Sequence, residues 1–147
     1  TPENIAANLQ DADLVVGAVL RHGAKAPHLV SAEMIKGMQP GSVVVDVSID
    51  QGGCIETSQP TTHSAPVFEK HGVIHYCVTN MPGAYPCTST LALTAATLPY
   101  AIKLADMGLT ALREDAGFGK GVNTHQGFIR QKEIAAALDM MDRYKPF

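Results

Sequence analysis

An aspartate followed at once by a glycine pair is the first place in this sequence that could house chemistry. Asp50 comes after Ser42-Val43-Val44-Val45-Asp46-Val47-Ser48-Ile49 and precedes Gln51-Gly52-Gly53-Cys54. A carboxylate at a strand end can take up a proton or accept a hydrogen bond from a ligand hydroxyl. Two glycines let the backbone turn sharply or approach a ligand closely. A plainer role is also open to Asp50, that of bonding to the backbone of its own turn. Asn80, beside Met81-Pro82-Gly83, can fix a turn or read the polar edge of a ligand. His63, in Pro60-Thr61-Thr62-His63, can carry a proton or be a simple surface group, and Lys25 can contact a phosphate or stay solvated.

Other chemistries find less support. His71 and His75 are four apart, but Gly72 and Val73-Ile74 favour a strand over a zinc-binding helix, and no carboxylate lies between them. No metal site is expected. There is no Gly-x-Ser-x-Gly elbow, and Cys87 has no evident histidine partner in sequence. No Gly-x-Gly-x-x-Gly is present, and Gly117, Gly119 and Gly121 lie between a helix and a hairpin, the wrong context for phosphate binding.

The elements that must position these groups read as α/β. A weak helix over 2–11 precedes a buried strand over 14–20. Ser31 caps a short helix with Met34, Ile35 and Met38 on one face, ended by Pro40-Gly41. The strand over 42–49 is β-branched with little polarity, which places it in a sheet covered on both faces. Strand, helix and strand with short connections imply parallel strands. Residues 52–66 form a long loop, 66–71 one or two helical turns, and 73–78 a third strand. If the three strands are parallel neighbours, the loops after them meet at one edge of the sheet, where ligands of open α/β folds bind. From Thr88 onward small residues predominate, which predicts a long, mostly buried helix capped by Thr88 or Ser89 and kinked near Pro99. A short helix over 109–115, broken by Gly117, Gly119 and Gly121, a hairpin over 122–130 around Gln126-Gly127, and a helix over 131–138 complete the chain.

Composition narrows the function classes. The chain has 147 residues, of which 46% are hydrophobic and 17% charged, so it is globular rather than disordered. A formal charge of −3 offers no basic footprint for nucleic acid. The apolar stretch 91–104 is interrupted by Thr94, Thr97, Pro99 and Lys103 and falls short of a membrane span. Three cysteines, Cys54, Cys77 and Cys87, cannot all pair and fit a reduced, cytoplasmic setting. The opening Thr-Pro-Glu-Asn, with neither an initiator Met nor a signal segment, reads as a chain whose beginning is missing.

Five stretches taken in order carry a resemblance. Gly17-Ala18-Val19-Leu20 with Gly23-Ala24-Lys25-Ala26-Pro27, then Asp50-Gln51-Gly52-Gly53-Cys54, Pro60-Thr61-Thr62-His63, Asn80-Met81-Pro82-Gly83 and Thr88-Ser89-Thr90 resemble the alanine dehydrogenase and transhydrogenase alpha-subunit family. The likeness spans almost the whole chain. In the transhydrogenase branch the glycine pair sits in a Gln-Asn-Gly-Gly-Asn-like sequence, so Asp50-Gln51-Gly52-Gly53-Cys54 is similar to the alanine dehydrogenase branch.

The resemblance implies an NAD-dependent oxidoreductase that interconverts L-alanine with pyruvate and ammonia through an imine. It implies that residues 1–87 are the C-terminal half of a Rossmann-type, NAD-binding parallel sheet, and that 88–147 are a mainly helical, returning C-terminal segment of the substrate domain. It places Val19, Leu20, Val47, Ser48, Ile49, Asp50, Val78, Thr79, Asn80 and Met81 at the cofactor, and makes Asp50 the catalytic carboxylate. It further implies a homo-oligomer, commonly a hexamer. The family's glycine-rich phosphate turn, ribose-reading acid, substrate-binding arginine and lysine and catalytic histidine belong to an earlier part of the chain, so these residues alone are expected to be inactive. Three departures stand out: His22 where proline is usual, Gln59 where arginine precedes Pro-Thr-Thr, and Cys87 where Arg or Lys is common. Two other readings remain open, a stand-alone NAD-binding or assembly module without catalysis and a transhydrogenase alpha subunit that needs a membrane partner.

Overall fold

Proline at the start of a helix loses no hydrogen bond, because the first N–H groups have no partner within the helix. Pro2 therefore opens helix α1, Pro2–Leu9, and the Thr1 hydroxyl accepts from Asn4 N at 3.4 Å as its cap. The computed structural model describes residues 1–21, 23 and 25–147. His22, singled out above as a departure, lies outside the described residues, as does Ala24. Two compact units form, Thr1–Arg21 with Lys25–Ala84, and Tyr85–Phe147 with Gly23.

In the first unit β1 (Leu14–Gly17) leads through α2 (Ala32–Lys36) to β2 (Val43–Asp46), then to β3 (Val67–Lys70) and β4 (Val73–Tyr76). The sheet order is β1-β2-β4-β3; β1, β2 and β4 are parallel and β3 is antiparallel to β4. The expected strand, helix and strand are thus present, with Ser31 Oγ accepting from Met34 N at 3.2 Å and Ile35 fully buried under the sheet. Each strand is shorter than expected. Val47 and Ile49 belong to a 3-10 turn, Val47–Gln51, and not to β2.

The helical turns expected over 66–71 are instead β3. Lys70 pairs with Val73, so only His71 and Gly72 connect the two strands, with φ of 57° and 79°. Positive φ at both central residues is the turn whose twist suits a tight hairpin. A His-Gly pair just before the β-branched Val73-Ile74 was the overlooked signal.

Register explains the core. Val15, Val44, His75 and Phe68 lie side by side on one face of the sheet. There Val44 and Val73 pack with Leu9 of α1, Ile35 of α2, Met38, Cys54 and Ile55. The other face is less covered than expected: Leu14 is 60% exposed and Val16 58%. The run is apolar on both faces, but the first unit supplies a covering layer for only one.

In the second unit α3 runs Pro86–Met107, two residues earlier than the expected cap, with Pro86 at its first position and Pro99 inside it. It contains no buried residue, contrary to expectation; Leu91 and Leu93 are 68% and 66% exposed. A helix apolar all round needs covering on every side, and this unit supplies little of it. Among the described residues no helix is long and apolar enough to cross a membrane. Helix α4 is Leu109–Glu114. The glycines expected to break it lie partly in a further turn, α5 (Ala116–Gly119), whose start is capped by Asp115 accepting from Phe118 N at 3.0 Å. The expected hairpin is β5 (Thr124–His125) with β6 (Phe128–Ile129), turning at Gln126 and Gly127. Helix α6, Lys132–Ala137, follows, and the Arg130 guanidinium ties down the tail by donating to Lys145 O and Pro146 O.

Candidate functional site

Strand β2 ends on a charge. Asp46 is fully buried, and its carboxylate accepts from Ser48 N at 3.1 Å, Cys54 N at 2.9 Å, Ile55 N at 3.1 Å and Ser58 Oγ at 2.7 Å. A buried carboxylate is tolerable only when its lone pairs are satisfied in this way. These bonds fold residues 47–58 back around the strand end. Gly53, at φ 81°, is required there twice over, since a Cβ would also sit 2.9 Å from Asp46 Oδ2. Gly52, at φ 98°, closes the 3-10 turn in the left-handed region.

Capping of the turn therefore falls to Asp46, and Asp50 reaches elsewhere. Its two carboxylate oxygens accept from Asn80 N at 3.2 and 3.3 Å. Ser48 makes the matching link on the other side, accepting from Val19 N at 2.7 Å and donating to Val19 O at 2.9 Å. His63 Nε2 donates to Asn80 O at 3.0 Å, the carbonyl being able only to accept. The loops after β1, β2 and β4 thus meet at the carboxyl edge of the sheet, as the parallel order requires.

The ten residues singled out at this edge differ in what they present. Leu20, Val47, Asp50 and Asn80 are exposed, Leu20 to 64% and Val47 to 47%. Val19, Thr79 and Met81 are half-buried, while Ser48, Ile49 and Val78 are buried. The edge offers two apolar side chains and one carboxylate on a backbone held by side-chain bonds.

Sequence reasoning passed over two groups. Asp46 was read only as part of a β-branched run; its polarity within that run, two residues before Ser48, was the signal for a cap. His75, expected on a strand, proves to be a core residue. It is fully buried in β4, Nδ1 donates to Val73 O at 2.9 Å, and Nε2 accepts from Thr57 Oγ1 at 2.7 Å. Its ring stacks on Phe68 with centroids 4.8 Å apart. Burial pushes its pKa below the usual 6.5. Burial likewise raises the Cys54 and Cys77 thiols, which keeps them protonated and unreactive. His71 sits at the β3–β4 turn, so the two histidines share no helix face. Among the described residues no group of three or more His, Cys, Asp or Glu is placed to hold a metal ion.

The chain resembles known proteins along most of its length. The model for the alanine dehydrogenase/PNT C-terminal domain matches residues 1–132. The chain belongs to the alanine dehydrogenase/PNT C-terminal domain family. It is 56% identical over 138 residues to an alanine dehydrogenase of Lysinibacillus sphaericus, covering 92% of this chain and 37% of that one. It is 52% identical over 139 residues to that of Bacillus subtilis, with 93% and 37% covered. Among solved structures an L-alanine dehydrogenase superposes with a TM-score of 0.78 at 45% identity, covering 96% of this chain and 39% of that one. The transhydrogenase of Sinorhizobium meliloti superposes less extensively, with a TM-score of 0.56, 33% identity and 62% and 26% covered. The chain therefore spans little more than a third of the alanine dehydrogenases it matches.

Proposed function

We propose that this chain is the C-terminal part of an NAD-dependent alanine dehydrogenase, which converts L-alanine to pyruvate and ammonia, and that these residues alone are inactive. Residues 1–87 then form the C-terminal half of the NAD-binding domain and 88–147 the returning segment of the substrate domain. A cytoplasmic homo-oligomer, a hexamer by family resemblance, completes the reading.

The observation that carries this reading is the pair of side-chain bonds, Ser48 to Val19 and Asp50 to Asn80, that joins three loops at the carboxyl edge of the parallel sheet. The residues there fit the nicotinamide half of NAD. Leu20 and Val47 present apolar surface suited to a flat ring, and Asp50 presents a carboxylate suited to a sugar hydroxyl. Ser48 bonds both backbone groups of Val19, so its part is to hold the loop. Buried Ile49 and Val78 have only backbone to offer. NAD, when bound, supplies the acceptor for the hydride that leaves the α-carbon of the amino acid. Asp50 orients the reacting amine and water beside it and takes up or returns a proton at a carboxylate oxygen.

The test is NADH formation with L-alanine, followed by absorbance, by the full chain, meaning the longer protein of which these residues are proposed to be a part. Formation that depends on both alanine and NAD supports the reading. NAD binding without alanine-dependent reduction supports the non-catalytic module instead, and hydride exchange between NADH and an NADP analogue without alanine turnover supports the transhydrogenase reading.

A further inference from the structure

The Pro60-Thr61-Thr62-His63 stretch has no part in the function as described so far, yet it is strapped to the residues that matter most. Thr61 bridges Val78 in parallel fashion, its N donating to Cys77 O at 2.9 Å and its O accepting from Thr79 N at 3.1 Å. Thr61 Oγ1 also donates to Pro66 O at 3.0 Å, which holds the far side of the loop. The strap brings the exposed His63 imidazole to Asn80 O. It can come that close because residue 83 is glycine: a Cβ there would meet His63 Nε2 at 3.3 Å and the Asn80 amide nitrogen at 3.2 Å.

Asn80 is the residue that most needs holding. Its φ is 52°, a left-handed backbone that asparagine tolerates better than most side chains but still disfavours. Its carbonyl accepts from His63 Nε2 and from Gly83 N at 2.8 Å, while its N–H donates to Asp50. His63 and Asp50 therefore grip the two sides of one left-handed residue.

We propose that His63 is a positioning residue, holding the Asn80 turn and through it the Asp50 carboxylate at the carboxyl edge of the sheet. The proposal rests on the reading of that edge as the cofactor and reaction site. His63 touches neither reacting atoms nor cofactor, and its contribution is the hydrogen bond from Nε2, which a glutamine amide can replace from a comparable position.

The test compares His63→Ala and His63→Gln with the unsubstituted full chain. Three quantities are followed: hydrogen–deuterium exchange at the Asn80 amide, kcat and KM for alanine-dependent NAD reduction, and the thermal midpoint. In His63→Ala, exchange at Asn80 rises and kcat falls, each by about tenfold, the scale of one net hydrogen bond. KM for alanine stays within about twofold, as expected when a group in the transition state is misplaced rather than substrate binding lost. The thermal midpoint is unchanged because His63 is exposed, and His63→Gln restores both exchange and kcat. Unchanged Asn80 exchange in His63→Ala overturns the proposal, as does an unchanged kcat or failure of glutamine to restore either. A full chain inert towards alanine and NAD would remove the functional reading alone, and the exchange measurement would still decide whether His63 holds Asn80.

Discussion

Ser48 and Val19 are joined twice, the Ser48 hydroxyl accepting from Val19 N at 2.7 Å and donating to Val19 O at 2.9 Å across 29 residues of sequence. One side chain thereby replaces the ladder bonds that β1 and β2 cease to make beyond Gly17 and Asp46. Ser48→Ala removes both bonds and leaves two half-buried backbone groups unpaired, at a cost of about 2 kcal/mol. Urea unfolding of the full chain reads that loss. Affinity for NAD falls with it if the loop after β1 helps to seat the cofactor; unaltered affinity would remove Val19 and Leu20 from the site.

His75 sets a pH dependence of stability whose sign follows from its burial. Neutral imidazole is the form that fits, since Nδ1 donates to Val73 O and Nε2 must accept from Thr57. The folded pKa is depressed below 6.5. As pH falls below that ordinary value the unfolded chain takes up a proton that the folded chain resists, so stability drops until the folded pKa is passed. The unfolding midpoint should therefore decline on acidification below about pH 6.5. In His75→Gln, less stable throughout, that part of the decline should be absent.

The parallel strands and the helix between them were legible because short β-branched runs and a Ser-capped amphipathic turn are local signals. The meeting of the loops followed from parallel order alone. Less legible was where the strands stop. Hydrophobicity continues through Val47 and Ile49, but the chain leaves β2 at Asp46 because a buried carboxylate there gathers five hydrogen-bond donors from residues 48–58, the Cys54 thiol among them. Partners that distant leave no periodicity in the sequence. The exposure of α3 was hidden for the opposite reason: apolar composition reports that a helix needs covering, and says nothing of which residues cover it.

Asp46→Asn tests that strand-end assembly. An asparagine side chain brings an NH2 group against backbone N–H donors at one of the two oxygen positions, so at least one buried donor loses its partner. The expected cost is about 3 kcal/mol, the upper range for a hydrogen bond to a charged group. Chemical denaturation would read this loss. A variant as stable as the parent would mean that the carboxylate is dispensable to the fold of residues 47–58.

Asp50→Ala separates chemistry from architecture at the same turn. Asp50 is exposed and, among the described residues, accepts from Asn80 N, so the turn itself stays capped by Asp46 and closed by Gly52. The full chain should therefore keep its thermal midpoint to within a few degrees, about what one exposed hydrogen bond commands. Turnover with alanine and NAD should fall by about 100-fold or more, the scale of a positioned acid–base group. Asp50→Asn keeps an acceptor for Asn80 N but cannot exchange a proton. If proton transfer is the role, Asn is as defective as Ala; if orientation of Asn80 is the whole role, Asn recovers most of the rate. Near-normal turnover in Asp50→Ala would remove this carboxylate from the mechanism and leave it a loop tie between β2 and β4.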